Sequence, residues 1–259
     1  MDRKFNLHWY AWGVCAISRA NTCLGRWDEA IEDALKVIKL AESYSDNSMI
    51  FCAGRELSFA YTSKGDLPKA IEYGELISEK AMTPADKAYA QRSLGWSLCR
   101  AGRTKQGIDL MVEALPLFQA GKWLPGIIPM ACTLGEAYLL AGDHENAWRM
   151  LEEGIETLEL CGTQFYLGCA HRLLGEVSLK EDVHLAASHL EKSMEILQEI
   201  KAENELAFAY ACYGRLHKSE GRSKQAIEYM TKALEIFERI DTLIEPDKIL
   251  EELADWERQ

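Results

Sequence analysis

The chain has 259 residues, of which 48% are hydrophobic and 27% charged, with only 6 prolines against 18 glycines. That composition excludes a disordered or collagen-like chain. The formal net charge of −12, from 29 basic and 41 acidic residues, disfavours nonspecific binding to nucleic acid or to an anionic membrane.

One short phrase recurs along the chain: a glycine, four mostly polar residues, then a small residue that opens an apolar-periodic run. It appears as Gly25-Arg-Trp-Asp-Glu-Ala30, then Gly65-Asp-Leu-Pro-Lys-Ala70, then Gly102-Arg-Thr-Lys-Gln-Gly107. It returns as Gly142-Asp-His-Glu-Asn-Ala147 and Gly221-Arg-Ser-Lys-Gln-Ala226, with a degenerate copy, Lys180-Glu-Asp-Val-His-Leu-Ala186, lying between them. A glycine just past a helix end takes the left-handed conformation that closes many helices, and a following Asp or Ser can cap the next helix. After each turn the apolar residues fall at three- and four-residue spacing, as in Ala226-Ile227, Met230, Ala233-Leu234 and Ile236-Phe237. Before each turn lies a second helical stretch with its own glycine: Gly95, Gly135, Gly175 and Gly214. A glycine inside a helix costs about 1 kcal/mol, so its return at equivalent places predicts close helix approach. No stretch alternates as a half-buried strand does.

These residues resemble the tetratricopeptide repeat, with its small residue in the first helix, its turn glycine and its small residue opening the second helix. The resemblance implies an all-α, right-handed superhelical solenoid of about six helical hairpins and a C-terminal capping helix. The expected repeats span about 6–45, 46–82, 83–120, 124–161, 163–201 and 203–241, with the cap at about 244–258, in a single solenoid over 1–259. The usual proline near the end of each repeat is mostly missing, Ser18 and Asn21 replace the usual small and aromatic residues in the first copy, and a period near 40 implies long helices. The longer period and the run Tyr166-x-x-x-x-His171-Arg172-x-x-Gly175-Glu176 are similar to the C-terminal repeat regions of bacterial multidomain signalling proteins. In those, the repeats follow a cyclase, kinase or DNA-binding domain and a large ATPase. No such catalytic part is present here, which implies a free-standing relative or a fragment.

Enzyme signatures are missing: there is no phosphate-binding loop, dinucleotide fingerprint, nucleophile elbow or zinc-protease motif. The six histidines form no pair at helical i, i+3 or i+4 spacing, and the eight cysteines (15, 23, 52, 99, 132, 161, 169, 212) include no C-x-x-C. No catalytic residue, metal or cofactor is therefore expected. The first residues show no secretory signal, and Leu124–Leu140 is broken by Pro125, Pro129 and Glu136, too short to span a bilayer. A cytoplasmic protein with reduced thiols is expected.

What a solenoid offers is a concave face, lined mainly by the first helix of each hairpin. The resemblance places Arg19, Arg55, Phe59, Tyr89, Arg92, Trp96, Arg100, Glu136, Arg172, Glu176, Arg215 and Lys218 on it. With Lys180, the implied face holds eight basic residues and only two acidic ones, Glu136 and Glu176. Arginine suits bidentate contact with carboxylates, and its mixture with aromatics is typical of interface hot spots. This pattern predicts a groove, in repeats one to three, for an acidic or carboxylate-bearing segment of a protein partner. Two other readings stand beside it. The arginines pair with neighbouring helices, or the chain is a sensory module of a cyclase- or ATPase-type signalling protein that takes a small effector or self-associates. Arg172 is expected to face Glu136, and His171 to bond a local carbonyl. Cysteines 15, 23, 52, 99, 132 and 169 fall on the same face, either as small fillers or as a thiol site. At the ends, Trp9, Tyr10 and Trp12 crowd without a polar cap, which suggests a missing neighbour or a homodimer, whereas Glu251, Glu252, Asp255 and Glu257 read as a polar cap.

Overall fold

The computed structural model describes residues 3–258, and every regular element among them is an α-helix. The chain divides into two compact units, residues 1–141 and 142–259. Unit 1 contains α1 (Arg3–Cys23), α2 (Trp27–Ser43), α3 (Asn47–Lys64), α4 (Leu67–Lys80), α5 (Pro84–Arg100), α6 (Thr104–Gly121) and α7 (Leu124–Leu140). Unit 2 contains α8 (His144–Leu160), α9 (Gln164–Ser178), α10 (Val183–Glu199), α11 (Glu203–Ser219), α12 (Ser223–Arg239) and α13 (Glu245–Glu257). Within each unit, consecutive helices pack as antiparallel hairpins, and the first helices of successive hairpins also touch: α1 on α3, α3 on α5, α5 on α7, and α9 on α11. This is the all-α repeat architecture that the sequence implies. The unit boundary falls in the turn between the two helices of the fourth repeat.

The recurrent phrase acquires a physical meaning at α5 and α6. A Cβ on Gly95 would sit 2.6 Å from the Gly107 carbonyl oxygen, and one on Gly107 would sit 2.2 Å from the Gly95 oxygen. The two backbones touch with no room for a side chain. In the first two hairpins the same place is held by serine, which bonds instead of vacating space. Ser18 Oγ donates to the Ala30 carbonyl at 2.7 Å, and Ser58 Oγ to the Ala70 carbonyl at 3.2 Å. The Ser18 that departs from the usual pattern thus pins its hairpin. Second helices bury a narrow stripe, such as Ala30, Ala34, Val37 and Ala41 in α2 and Ala226, Met230, Ala233 and Phe237 in α12. Their opposite faces are charged and solvated.

The turn glycines Gly25, Gly65, Gly102, Gly142 and Gly221 all have positive φ, as does Gly162. Capping is less uniform than the phrase implies. Asp66, Asp143 and Asp182 accept from the backbone N–H three residues on, opening α4, α8 and α10. Where arginine follows the glycine, at Arg26, Arg103 and Arg222, the helix starts with no side-chain cap, and Ser223 lies inside α12 rather than before it.

Candidate functional site

In unit 1 the first helices of the hairpins carry a connected set of charges and rings. Arg19 (α1) places Nη2 2.8 Å from Glu56 Oε2, and Arg55 places its own Nη2 3.2 Å from Glu56 Oε1. The Glu56 side chain is only 2% exposed, whereas the two arginines are 28% and 23% exposed. One buried carboxylate therefore anchors two guanidiniums that still reach solvent. Each also lies over a ring one repeat further on: Arg19 over Phe59 at 5.1 Å and Arg55 over Tyr89 at 4.7 Å. Arg92, largely buried, approaches Tyr89 from its own helix at 5.9 Å. Beyond them Phe59 meets Trp96 with ring centroids 5.8 Å apart, and Trp96 Nε1 donates to Glu136 Oε2 at 2.6 Å. Arg100 Nη1 donates to the other oxygen of Glu136 at 3.3 Å.

Against this wall opens a cavity of about 430 Å³, lined by Trp12, Ala16, Arg19, Ser48, Phe51, Cys52, Arg55, Glu56, Asp86 and Tyr89. Asp86, at its rim, is engaged in capping α5: its carboxylate accepts from the Met82 and Thr83 backbone N–H groups. Two arginines, Arg19 and Arg55, and two carboxylates, Glu56 and Asp86, thus line the cavity against aromatic surface from Trp12, Phe51 and Tyr89. The arrangement can bind and orient an anion. No group of three or more metal-ligating side chains occurs among the described residues.

Unit 2 repeats the pattern with its charges more completely matched. Arg172 donates from Nε to Glu205 Oε2 at 3.1 Å and from Nη1 to Glu176 Oε2 at 3.4 Å, with its guanidinium 5.2 Å from the Phe208 ring centroid. Arg215 Nε donates to both oxygens of Glu252, at 3.1 and 3.0 Å. Lys218 lies 5.3 Å over Trp256. The unit has its own cavity of about 410 Å³ with an acidic lining, including Glu145, Glu181 and Asp182 beside Trp148.

Several expectations change. Arg172 bonds Glu205 and Glu176, and Glu136 serves Trp96 and Arg100, pairs that run one repeat along each first-helix ladder. His171 finds no local carbonyl. Its Nδ1 lies 3.0 Å from Nδ1 of His189, and burial together with that second imidazole pushes it down to about 4. Burial likewise holds His189 below the ordinary histidine range. Glu252 is not a solvent-facing cap residue but the partner of Arg215, and the Glu257 side chain lies outside the described residues. The basic excess on the implied face shrinks because Glu56, Glu205 and Glu252, which the motif positions leave out, supply its counter-charges. Burial pushes the Cys99 and Cys212 thiols up to about 12, so both stay protonated fillers. Trp9, Tyr10 and Trp12 are 59%, 55% and 59% exposed, and Ile17 56%. The Trp9 and Trp12 rings meet edge to face with centroids 5.7 Å apart.

Residues 209–239 match the family model of the tetratricopeptide repeat. Among solved structures the chain is similar to BtubC (BKLC) from P. vanneervenii, at 16% identity over 84% of this chain and 93% of that one, with a TM-score of 0.59. It is also similar to a Rap protein complexed with Competence and Sporulation Factor, at 12% identity over 89% of this chain and 64% of that one (TM-score 0.62). A third similar structure is the Signal Transduction ATPase with Numerous Domains (STAND) protein with a tetratricopeptide repeat sensor from Pyrococcus horikoshii. There the identity is 16%, the TM-score 0.52, and the match covers 98% of this chain but only 39% of that one. A comparison with curated proteins finds no match. The fold is that of tetratricopeptide-repeat proteins, and no helix among the described residues is long and apolar enough to cross a membrane.

Proposed function

We propose that the chain is a non-catalytic protein-interaction module whose repeats one to three receive a carboxylate-bearing segment of a partner in the unit 1 cavity. The observation that carries this reading is a partly exposed guanidinium, Arg55, at an aromatic-lined cavity whose two carboxylates are already engaged, Glu56 by Arg19 and Asp86 by the backbone that opens α5. Arg55 is the residue best placed to meet a ligand. Its bonds to Glu56 are long, at 3.2 and 3.3 Å, and it stays partly exposed above Tyr89. Arg19 is held more tightly and sets the back wall. In unit 2 the matching arginines are engaged by two carboxylates or by both oxygens of one, and contribute rigidity rather than recognition.

The test is Arg55→Gln, chosen because Arg92 is buried and a charge reversal there would disturb the fold. Affinity for acidic peptides, read by fluorescence anisotropy, should fall about tenfold, as expected for loss of one charged hydrogen-bond donor, while neutral peptides of the same length are unaffected. Equal affinity of wild type and variant for every acidic segment sinks the proposal. A second reading, self-association through α1, is favoured by the exposed Trp9, Tyr10, Trp12 and Ile17. These four form an apolar patch with no charge among them.

A further inference from the structure

We propose that Cys15 and Cys52 form a thiol–disulfide redox pair set in the wall of the unit 1 cavity, with Cys52 as the attacking sulfur and Cys15 as the resolving one. The chemistry needs no ligand in the groove and stands apart from the peptide reading. Cys15 lies on α1 and Cys52 on α3, and the two meet in one apolar cluster with Ala11, Val37, Ala41 and Ala53. Their accessibility differs in the sense that such a pair requires. Cys15 is 3% exposed within that cluster, whereas Cys52 is half-buried and lines the cavity beside Arg19 and Arg55. A reagent entering the cavity reaches Cys52 first and Cys15 only through it.

The electrostatics point the same way. The adjoining Cys15 thiol and the guanidiniums of Arg55 and Arg19 hold Cys52 below the ordinary thiol range, against burial and the opposing Glu56 carboxylate. Cys15 is raised by its neighbour Cys52, by burial and by Glu56. The buried thiols Cys99 and Cys212 are pushed up instead, chiefly by burial. Thiolate character and access, not burial alone, decide which cysteine reacts.

The reaction consumes a low-molecular-weight disulfide as oxidant. The Cys52 thiolate attacks one of its sulfurs, forming a mixed disulfide and expelling one thiolate. Cys15 then loses its proton and its sulfur attacks Cys52 Sγ, forming the Cys15–Cys52 bond and expelling the second thiolate. The protein gives up two electrons and two protons, and the oxidant leaves as two thiols. The bond would tie α1 to α3 across the cavity wall.

The full chain is treated with oxidised glutathione near neutral pH, quenched with iodoacetamide at intervals and mapped by peptide mass spectrometry. Exposed Cys161 is the internal reference for an ordinary thiol. Glutathione should appear first on Cys52 and then be lost as a linked Cys15–Cys52 peptide accumulates, reversibly with dithiothreitol. In Cys15→Ala the reaction should stop at the Cys52 mixed disulfide and slow by about threefold for each unit by which the thiol pKa rises. In Cys52→Ala, Cys15 should stay unmodified. Absence of the linked peptide once Cys161 has reacted, or glutathione on Cys15 in Cys52→Ala, overturns the proposal.

Discussion

Replacing Glu56 with glutamine separates the two jobs that the unit 1 arginines can have. The side chain keeps its shape but loses the charge on which Arg19 and Arg55 converge. Charged hydrogen bonds of this kind are worth about 1.5–3 kcal/mol each when buried. Here both guanidiniums remain about a quarter exposed and can turn to water, so the loss should be nearer 1–2 kcal/mol for the pair. That lowers the unfolding midpoint of unit 1 by a few degrees. A ligand carboxylate seated beside Arg55 would lie roughly 7 Å from the Glu56 carboxylate, where like charges repel by about 2 kcal/mol at an effective dielectric near 20. Screening at physiological salt reduces this to about 1 kcal/mol, or about fivefold in Kd. The variant should therefore be less stable yet bind acidic peptides about fivefold more tightly, with the gain growing as salt is lowered. Calorimetry for the first quantity and anisotropy titrations at two salt concentrations for the second measure both on one preparation. A folded variant whose affinity is unchanged or weaker refutes the electrostatic reasoning, because the arginines would then serve Glu56 alone.

Three further perturbations follow from the packing. Gly107→Ala should destabilise unit 1 by about 1–3 kcal/mol in urea unfolding, because a Cβ there strikes the Gly95 carbonyl, and the helix-propensity gain of about 1 kcal/mol cannot offset it. The His171–His189 pair should make unit 2 less stable as pH falls from about 6.5 toward 4. Both folded-state pKa values lie below the unfolded value, so the unfolded chain binds more protons in that window. Urea titrations across it should show a steeper pH slope for wild type than for His171→Gln, and equal slopes would refute the pairing. Trp12→Glu should abolish any concentration-dependent dimer seen by sedimentation. A wild type that is monomeric at all concentrations removes the self-association reading.

The hairpins were legible in the sequence because their requirements are strict and local. Only glycine suits the positive φ at Gly65 and Gly102 without strain, and only a small residue fits where Gly95 meets Gly107 or where Ser18 reaches the Ala30 carbonyl. The partners of the arginines were not legible from the motif, since motif positions describe one helix at a time while the contacts run between first helices of successive hairpins. Glu56 escapes because it sits next to Arg55 rather than on the implied face, and it points back at Arg19. Glu205 lies before the first motif position of its repeat, and Glu252 belongs to α13, outside the repeats altogether. The His171–His189 contact joins two helices of one hairpin at an 18-residue separation, which a search for i, i+3 or i+4 pairs does not cover. The division into two units has no counterpart in the repeating phrase, which continues through Gly142 unchanged.

A signal for these contacts does exist in the sequence, and it bears on what the inner face does. Arg19 and Glu56 are 37 residues apart, Arg100 and Glu136 are 36, Arg172 and Glu205 are 33, and Arg215 and Glu252 are 37. Each basic residue meets its carboxylate about one repeat later. The rings keep the same step, with Arg19 over Phe59, Arg55 over Tyr89 and Arg172 over Phe208. A charge at one-repeat distance from its opposite is thus part of the scaffold, since it ties one first helix to the next and fixes side chains that would otherwise lose rotamer freedom on binding. Arg55 breaks the rule. One repeat onward it meets the ring of Tyr89, and the carboxylate it pairs with, Glu56, is adjacent in sequence and shared with Arg19. Of the two arginines that line the cavity, Arg19 has its carboxylate one period away and Arg55 does not, and on the proposed reading it is Arg55 that a ligand's carboxylate would meet.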